Sequence, residues 1–150
     1  VGQVVDLGVK DANNMGAAMA PAAADTLTRH LQDLHRTAAD YDLIVTGDLG
    51  CVGHDILLAF MEERGLPLLP QRYLDCGMAV FAPEQDVQAG GSGCGCSAIV
   101  LCSHILRRIH EGELHRVLFM ATGALVSPMA SQQGAAIPGI AHAVVLEGVD

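Results

Sequence analysis

The stretch Gln88-Ala89-Gly90-Gly91-Ser92-Gly93-Cys94-Gly95-Cys96-Ser97 constrains this chain more than any other. Four glycines and two cysteines lie close together and run straight into an apolar pattern at helical spacing: Ala98, Leu101, Cys102, Ile105, Leu106 and Ile109. A glycine loop that opens a helix leaves several backbone N–H groups without intrahelical partners. The helix dipole adds positive potential at the same point. Such a loop suits an anion or a polarised carbonyl. Glycines also admit a neighbouring backbone at close range. Packing and ligand contact are both open here, and they are compatible.

The remaining residues must supply a core for that loop to sit on. Hydrophobic residues are 51% and charged ones 17% of the 150 residues, enough for one globular domain. Aromatics are 3% and Trp is absent, so the core is built from Ala, Val, Leu, Ile and Met. That favours helix-on-sheet layers over a stacking platform for bases. The net charge of −9 excludes the basic footprint that nucleic acid needs. It also repels an anion at long range, so an anionic ligand needs local N–H donors, the few Arg or Lys side chains, or an accompanying cation. The five cysteines are odd in number and no signal-peptide pattern is visible, which predicts reduced thiols in a cytoplasm-like compartment. No apolar run reaches the roughly 18–20 residues of a spanning helix.

Strands and helices alternate along the chain. Gln3 to Lys10 reads as a strand, and Pro21 suits the first turn of a helix carrying Ala24, Leu27, Leu31 and Leu34 on one face. Asp42 to Gly47 is a short buried strand, and Gly53 to Arg64 a helix that stops at Gly65 and Pro67. Leu74 to Phe81 is partly extended. The helix after the glycine stretch runs to about His110, and Val117 to Thr122 is another buried strand. Gly123 to Gly139 reads as a long loop before a last strand, Ile140 to Glu147. This order predicts an α/β fold: a mixed, mostly parallel central sheet with helices on both faces, the closing pair antiparallel.

Ligands of open α/β sheets bind beyond the carboxyl ends of the strands. Two strand-to-helix loops qualify: Gly47-Asp48-Leu49-Gly50-Cys51-Val52-Gly53-His54 and the glycine stretch. The candidate ligand-binding residues are Asp48, Gly50, Gly90, Gly91, Ser92, Gly93, Cys94 and His142. Asp48 also suits a helix cap, and His142 also suits the core. Cys94 and Cys96 lack the paired spacing of a zinc site, so no metal site is expected, and both read as small packing residues.

The strand, glycine loop, helix, strand, long loop, strand order is similar to the C-terminal half of the thiolase fold. More narrowly, Val45-Thr46-Gly47-Asp48-Leu49-Gly50, Glu84-Gln85-Asp86-Val87, Ala89 to Ala98, Ala121-Thr122-Gly123-Ala124-Leu125, Ser131-Gln132-Gln133 and Ile137-Pro138-Gly139-Ile140-Ala141-His142 resemble the stage V sporulation protein AD family. Lys10-Asp11 and Asn14 to Ala23 fit as well. The resemblance implies that residues 1–150 form a single domain, the C-terminal half of a longer three-layer, thiolase-like protein. It implies binding of dipicolinic acid, or its calcium chelate, during uptake into the developing bacterial spore. Calcium would then arrive with the ligand. It further implies other membrane-associated proteins of the same uptake system as partners, and a place in the cytoplasm or on the spore inner membrane.

The resemblance also frames a test of catalysis. Condensing enzymes of this fold use a Cys from the other half, a His from the loop after the second strand, and a His or Asn from the glycine loop. Here Asp48 stands where that first His is expected, and Ser92 to Cys94 where the Asn–Gly-like pattern is expected. A carboxylate offers no proton to a developing oxyanion. Non-catalytic binding is therefore the expectation. Its alternatives are an acyl-transfer enzyme completed by an N-terminal half, and an assembly half that packs its glycine face on another half or on a second copy.

Overall fold

Small side chains decide how closely the layers approach. The computed structural model describes residues 1–148. Helix α1 spans Met15–Asp33, and Asn14 Oδ1 caps it by accepting the Ala17 N–H at 3.2 Å. Ala18, Ala20 and Ala22–Ala24 of α1 are buried, with Leu27 and Leu31. Helix α2, Gly50–Glu63, crosses α1 at Gly16, where a Cβ would lie 2.2 Å from the Leu49 carbonyl. Pro21 is inside α1, not in its first turn. The Asn14 cap and the continuous burial of Ala18 to Ala24 outweigh the hydrogen bond that a proline cannot donate.

The sheet has the order β2-β1-β3-β4, from Tyr73–Asp75 (β2), Leu43–Thr46 (β1), Arg116–Ala124 (β3) and Gly139–Glu147 (β4). β1 is parallel to β2 and to β3, and β3 and β4 are antiparallel from Arg116↔Glu147 to Ala124↔Gly139. Strand periodicity sends Ile44, Leu118, Met120 and Ala141 to one face, where they pack with α1 and with Leu57 and Met61 of α2. Leu43, Val45, Val117 and Phe119 face the other way, onto Cys96, Val100 and Ile105. Helices cover both faces of a mostly parallel sheet, as the alternation predicts.

Four local expectations change. Gln3 to Lys10 is no strand: it makes a single bridge, Val5 to Gly139, and Ile137 N–H donates to Val9 at 2.7 Å. Val4 and Leu7 are 55% and 63% exposed, so alternation here finds no second layer, and Gly8 at φ 78° turns the run. Leu74 to Phe81 divides into the end of β2 and a short helix α3, Cys76–Ala79. The helix after the glycine stretch is α4, Cys94–Val100, a π-helical turn, Leu101–Ile105, and α5, Leu106–His110. The wider turn rotates the stripe, leaving Ala98, Cys102 and Leu106 exposed although the spacing predicts them inside. The long loop shrinks, because β3 continues to Ala124 and Pro128–Gln132 forms α6 with Ser127 as its cap. Among the described residues no helix is long and apolar enough to cross a membrane.

Candidate functional site

β1 ends in Thr46 and the chain turns at Gly47-Asp48-Leu49 into α2. β2 ends in Asp75 and turns into α3. Both turns lie at the carboxyl ends of parallel strands, and the glycine loop passes across them. Gly50 holds φ +64°, and a Cβ there would meet the Ala89 carbonyl at 2.5 Å. That carbonyl accepts the Cys51 N–H at 2.8 Å. Gly90 and Gly77 approach in the same manner, and Gly91 N–H donates to the Gly77 carbonyl at 2.7 Å. These glycines therefore serve packing of loop on loop. Gly93 and Gly95 differ, since a Cβ on either would meet nothing within 4 Å.

The result is a cleft of about 270 Å³ between Asn13–Gly16, the Asp48 turn and the loop from Val87 to Ser92. Asp48, Gly50, Gly90, Gly91 and Ser92 line it, five of the residues predicted to meet. Gly93 joins them through its N–H, which donates to Asp48 Oδ2 at 2.8 Å. Cys94 is exposed at the first turn of α4, beyond the lining. It is no packing residue, because its side chain faces solvent while Cys96 in the same turn faces the core. His142 is also outside: it is exposed on β4, and its Nδ1 accepts the Gly2 N–H at 3.0 Å. It is neither a core histidine nor a wall of the cleft, since β4 is an edge strand and the cleft lies at the ends of β1 and β2.

Charge in the cleft is negative and local. Asp48 does not cap α2. Its Oδ1 accepts the Thr122 hydroxyl at 2.8 Å and its Oδ2 the Gly93 N–H. The N–H of the α4 N-cap is thereby taken by an internal carboxylate, and among the described residues no Lys, Arg or His lines the cleft. Asp75 sits directly beneath. It is 1% exposed and accepts Thr46 Oγ1 at 2.7 Å, Leu49 N–H at 2.9 Å, Gly50 N–H at 3.0 Å and Met78 N–H at 3.3 Å. Burial pushes its pKa up, and those four donors pull against it. Burial also pushes the neighbouring Cys76 thiol up to about 12, with the Asp75 charge adding to the shift. Cys96, packed against the same core, is raised for the same reason.

Asp75, Thr122 and Gly77 are the residues that sequence reasoning misses. Asp75 before Cys76-Gly77-Met78 reads only as a strand-end turn, and nothing in its spacing pairs it with Leu49. Thr122 reads as an ordinary strand residue.

A protein-family model described as Stage V sporulation protein AD matches residues 1–147. The chain belongs to the stage V sporulation protein AD family. Stage V sporulation protein AD of Bacillus subtilis (strain 168) is 54% identical over 147 residues, which cover 98% of this chain and 43% of that relative. This member therefore spans less than half the length of the relative it matches. The family is one of sporulation proteins, and the glycine-cysteine loop and the Asp48 turn both lie inside the matched span.

Proposed function

We propose that this family member contributes one wall of a non-catalytic site for dipicolinic acid, bound as its calcium chelate, in the uptake of that ligand into the developing spore. The observation that carries this reading is the pairing of Asp48 with Gly93 across the cleft. A bare dianion would meet a carboxylate and no cationic side chain. A calcium-neutralised chelate brings a cation that accepts carboxylate oxygens, and Asp48 is placed to supply one. Ser92, which lines the cleft, then serves the ligand's own carboxylates. In this reading calcium travels with the ligand and has no resident site in the protein.

Both Asp48 oxygens accept hydrogen bonds from the protein, and no donor aimed at a developing oxyanion stands where the condensing enzymes carry a His, which supports binding without catalysis. The fold would be half of a thiolase-like protein, working on or near the spore inner membrane beside membrane-associated partners of the same uptake system. Calorimetric titration with dipicolinate, in calcium and in a calcium chelator, tests the proposal. Heat only with calcium is expected; no heat under either condition sinks it for this chain.

A specific observation also favours an assembly role. Ile99 and Leu106, on the helices that follow the glycine loop, are 57% and 43% exposed, and Val144 on β4 is 54% exposed. Apolar side chains of this size point to burial against another half or another copy. Light scattering at several concentrations reads this directly, and a concentration-independent monomer would remove self-association.

A further inference from the structure

Resting on the ligand reading above, we infer that Asp75 is a positioning residue for the cleft: its carboxylate sets the glycine loop against the Asp48 turn without touching a ligand. Asp75 is the one charged residue that is fully buried among the described residues. Its four partners come from three places: the end of β1, the start of α2 and the start of α3. Every partner is a donor. An acceptor-only carboxylate is therefore required, and an amide in its place would set its own N–H₂ against backbone N–H groups. The Thr46 hydroxyl gives its proton to Asp75. The Tyr73 hydroxyl, 3.0 Å from Thr46 Oγ1, then donates to Thr46. Tyr73 in turn is stacked on His54 of α2, with ring centroids 4.6 Å apart.

The consequence reaches the loop through the peptides that Asp75 holds. Three backbone N–H bonds tie the loop to the body: Cys51 to Ala89, Gly91 to Gly77, and Gly93 to Asp48. Asp75 binds the N–H of Gly50, next to Cys51, and the N–H of Met78, next to Gly77. Two of the three ties thus depend on backbone that this one carboxylate fixes. Without it, Gly50 is free to leave its left-handed conformation, and the Ala89 carbonyl loses its seat.

Hydrogen exchange and calorimetry on the same variants test this. In the unliganded protein, Asp75→Asn and Thr46→Val should speed exchange at the Cys51 and Gly91 amides, while Val45 and Leu118 in the sheet stay protected. Affinity for calcium dipicolinate should fall about tenfold or more in both, the size of one lost charge-assisted hydrogen bond. Thr46→Ser, which keeps the hydroxyl, should restore both readouts. Unchanged exchange at Cys51 and Gly91 in Asp75→Asn would overturn the inference, as would a uniform rise across every strand. Thr46→Val carries the test if Asp75→Asn does not fold. A wild-type protein that binds no dipicolinate removes the ligand reading alone, because the exchange comparison still decides whether Asp75 sets the loop.

Discussion

Asp48 and Thr122 bond to each other in both directions. The Asp48 N–H donates to Thr122 Oγ1 at 3.0 Å, and the Thr122 hydroxyl donates to Asp48 Oδ1 at 2.8 Å. This reciprocal pair joins the turn after β1 to β3. Thr122→Val keeps the shape but leaves the Asp48 N–H and Oδ1 without that partner. A loss of roughly 1–2 kcal/mol in urea unfolding is expected, and Thr122→Ser should recover most of it. Equal midpoints for wild type and Thr122→Val would show that water replaces the hydroxyl without cost.

The charge on Asp48, as distinct from its hydrogen bonds, should set ligand form. Asp48→Asn removes a negative charge and weakens the hold on Gly93 N–H. The ratio of affinities, calcium chelate over bare dipicolinate, should fall roughly tenfold, a magnitude ordinary for one charge near a surface. Titrations with calcium and with a calcium chelator give the ratio directly. An unchanged ratio would mean that Asp48 does not sense the ligand's cation.

Gly50 and Gly65 have nearly the same backbone conformation, φ +64° and +69°, but different surroundings. Ala at either position bears a left-handed cost of roughly 1–2 kcal/mol. At Gly65 nothing lies within 4 Å of the new Cβ, so that cost should be the whole effect. At Gly50 the Cβ also collides with the Ala89 carbonyl, so Gly50→Ala should cost more and speed exchange at the Cys51 amide. The paired unfolding measurement separates conformation from loop displacement, and equal losses would argue against loop anchoring at Gly50.

The layers were legible because burial writes a period into the chain. Leu43-Ile44-Val45-Thr46 and Val117-Leu118-Phe119-Met120 are buried on both faces and read as continuous apolar runs. Gln3 to Lys10 carries a similar pattern, yet Val4 and Leu7 meet solvent; composition alone does not say whether a second layer is there. The π turn at Leu101–Ile105 is invisible to a 3.6-residue period because it breaks that period. In the cleft, glycines announced close approach, and the two loops do meet. Gly93 N–H joins them at Asp48, and the turns they rest on are held by Asp75 on Gly50 and Thr122 on Asp48, pairs 25 and 74 residues apart in sequence. Periodicity and motif spacing are local signals and carry no trace of such pairs.

Thiol reactivity should divide the cysteines by burial. Cys76 and Cys96 are 0% and 4% exposed, and burial pushes the Cys76 pKa up to about 12. Cys94 and Cys102 are exposed. Alkylation depends on the thiolate and on access. Brief treatment with iodoacetamide should therefore label Cys94 and Cys102 in the folded protein, with Cys76 and Cys96 labelled only after denaturation. Peptide mass spectrometry reads each site. Native labelling of Cys76 as fast as Cys94 would contradict the packing of α3 beneath the loop.

A second network, built on the buried Tyr41, should make stability depend on pH. His30 Nε2 lies 2.6 Å from the Tyr41 hydroxyl, and Arg36 Nη1 donates to the same oxygen at 3.3 Å. Tyr41 is wholly buried. With Arg36 donating to it, the phenol directs its own proton to a neutral His30. Burial first, and then the Arg36 charge, hold the His30 pKa below 6.5, while Asp33 pulls the other way. The unfolded chain therefore takes up this proton before the folded one does. The His30 contribution is complete above pH 6.5 and is lost as the pH falls through the lowered folded value. His30→Gln keeps an acceptor for Tyr41 and does not titrate. Its urea midpoint should fall less than that of wild type between about pH 8 and pH 5, and parallel curves for the two proteins would show that His30 is not the titrating group.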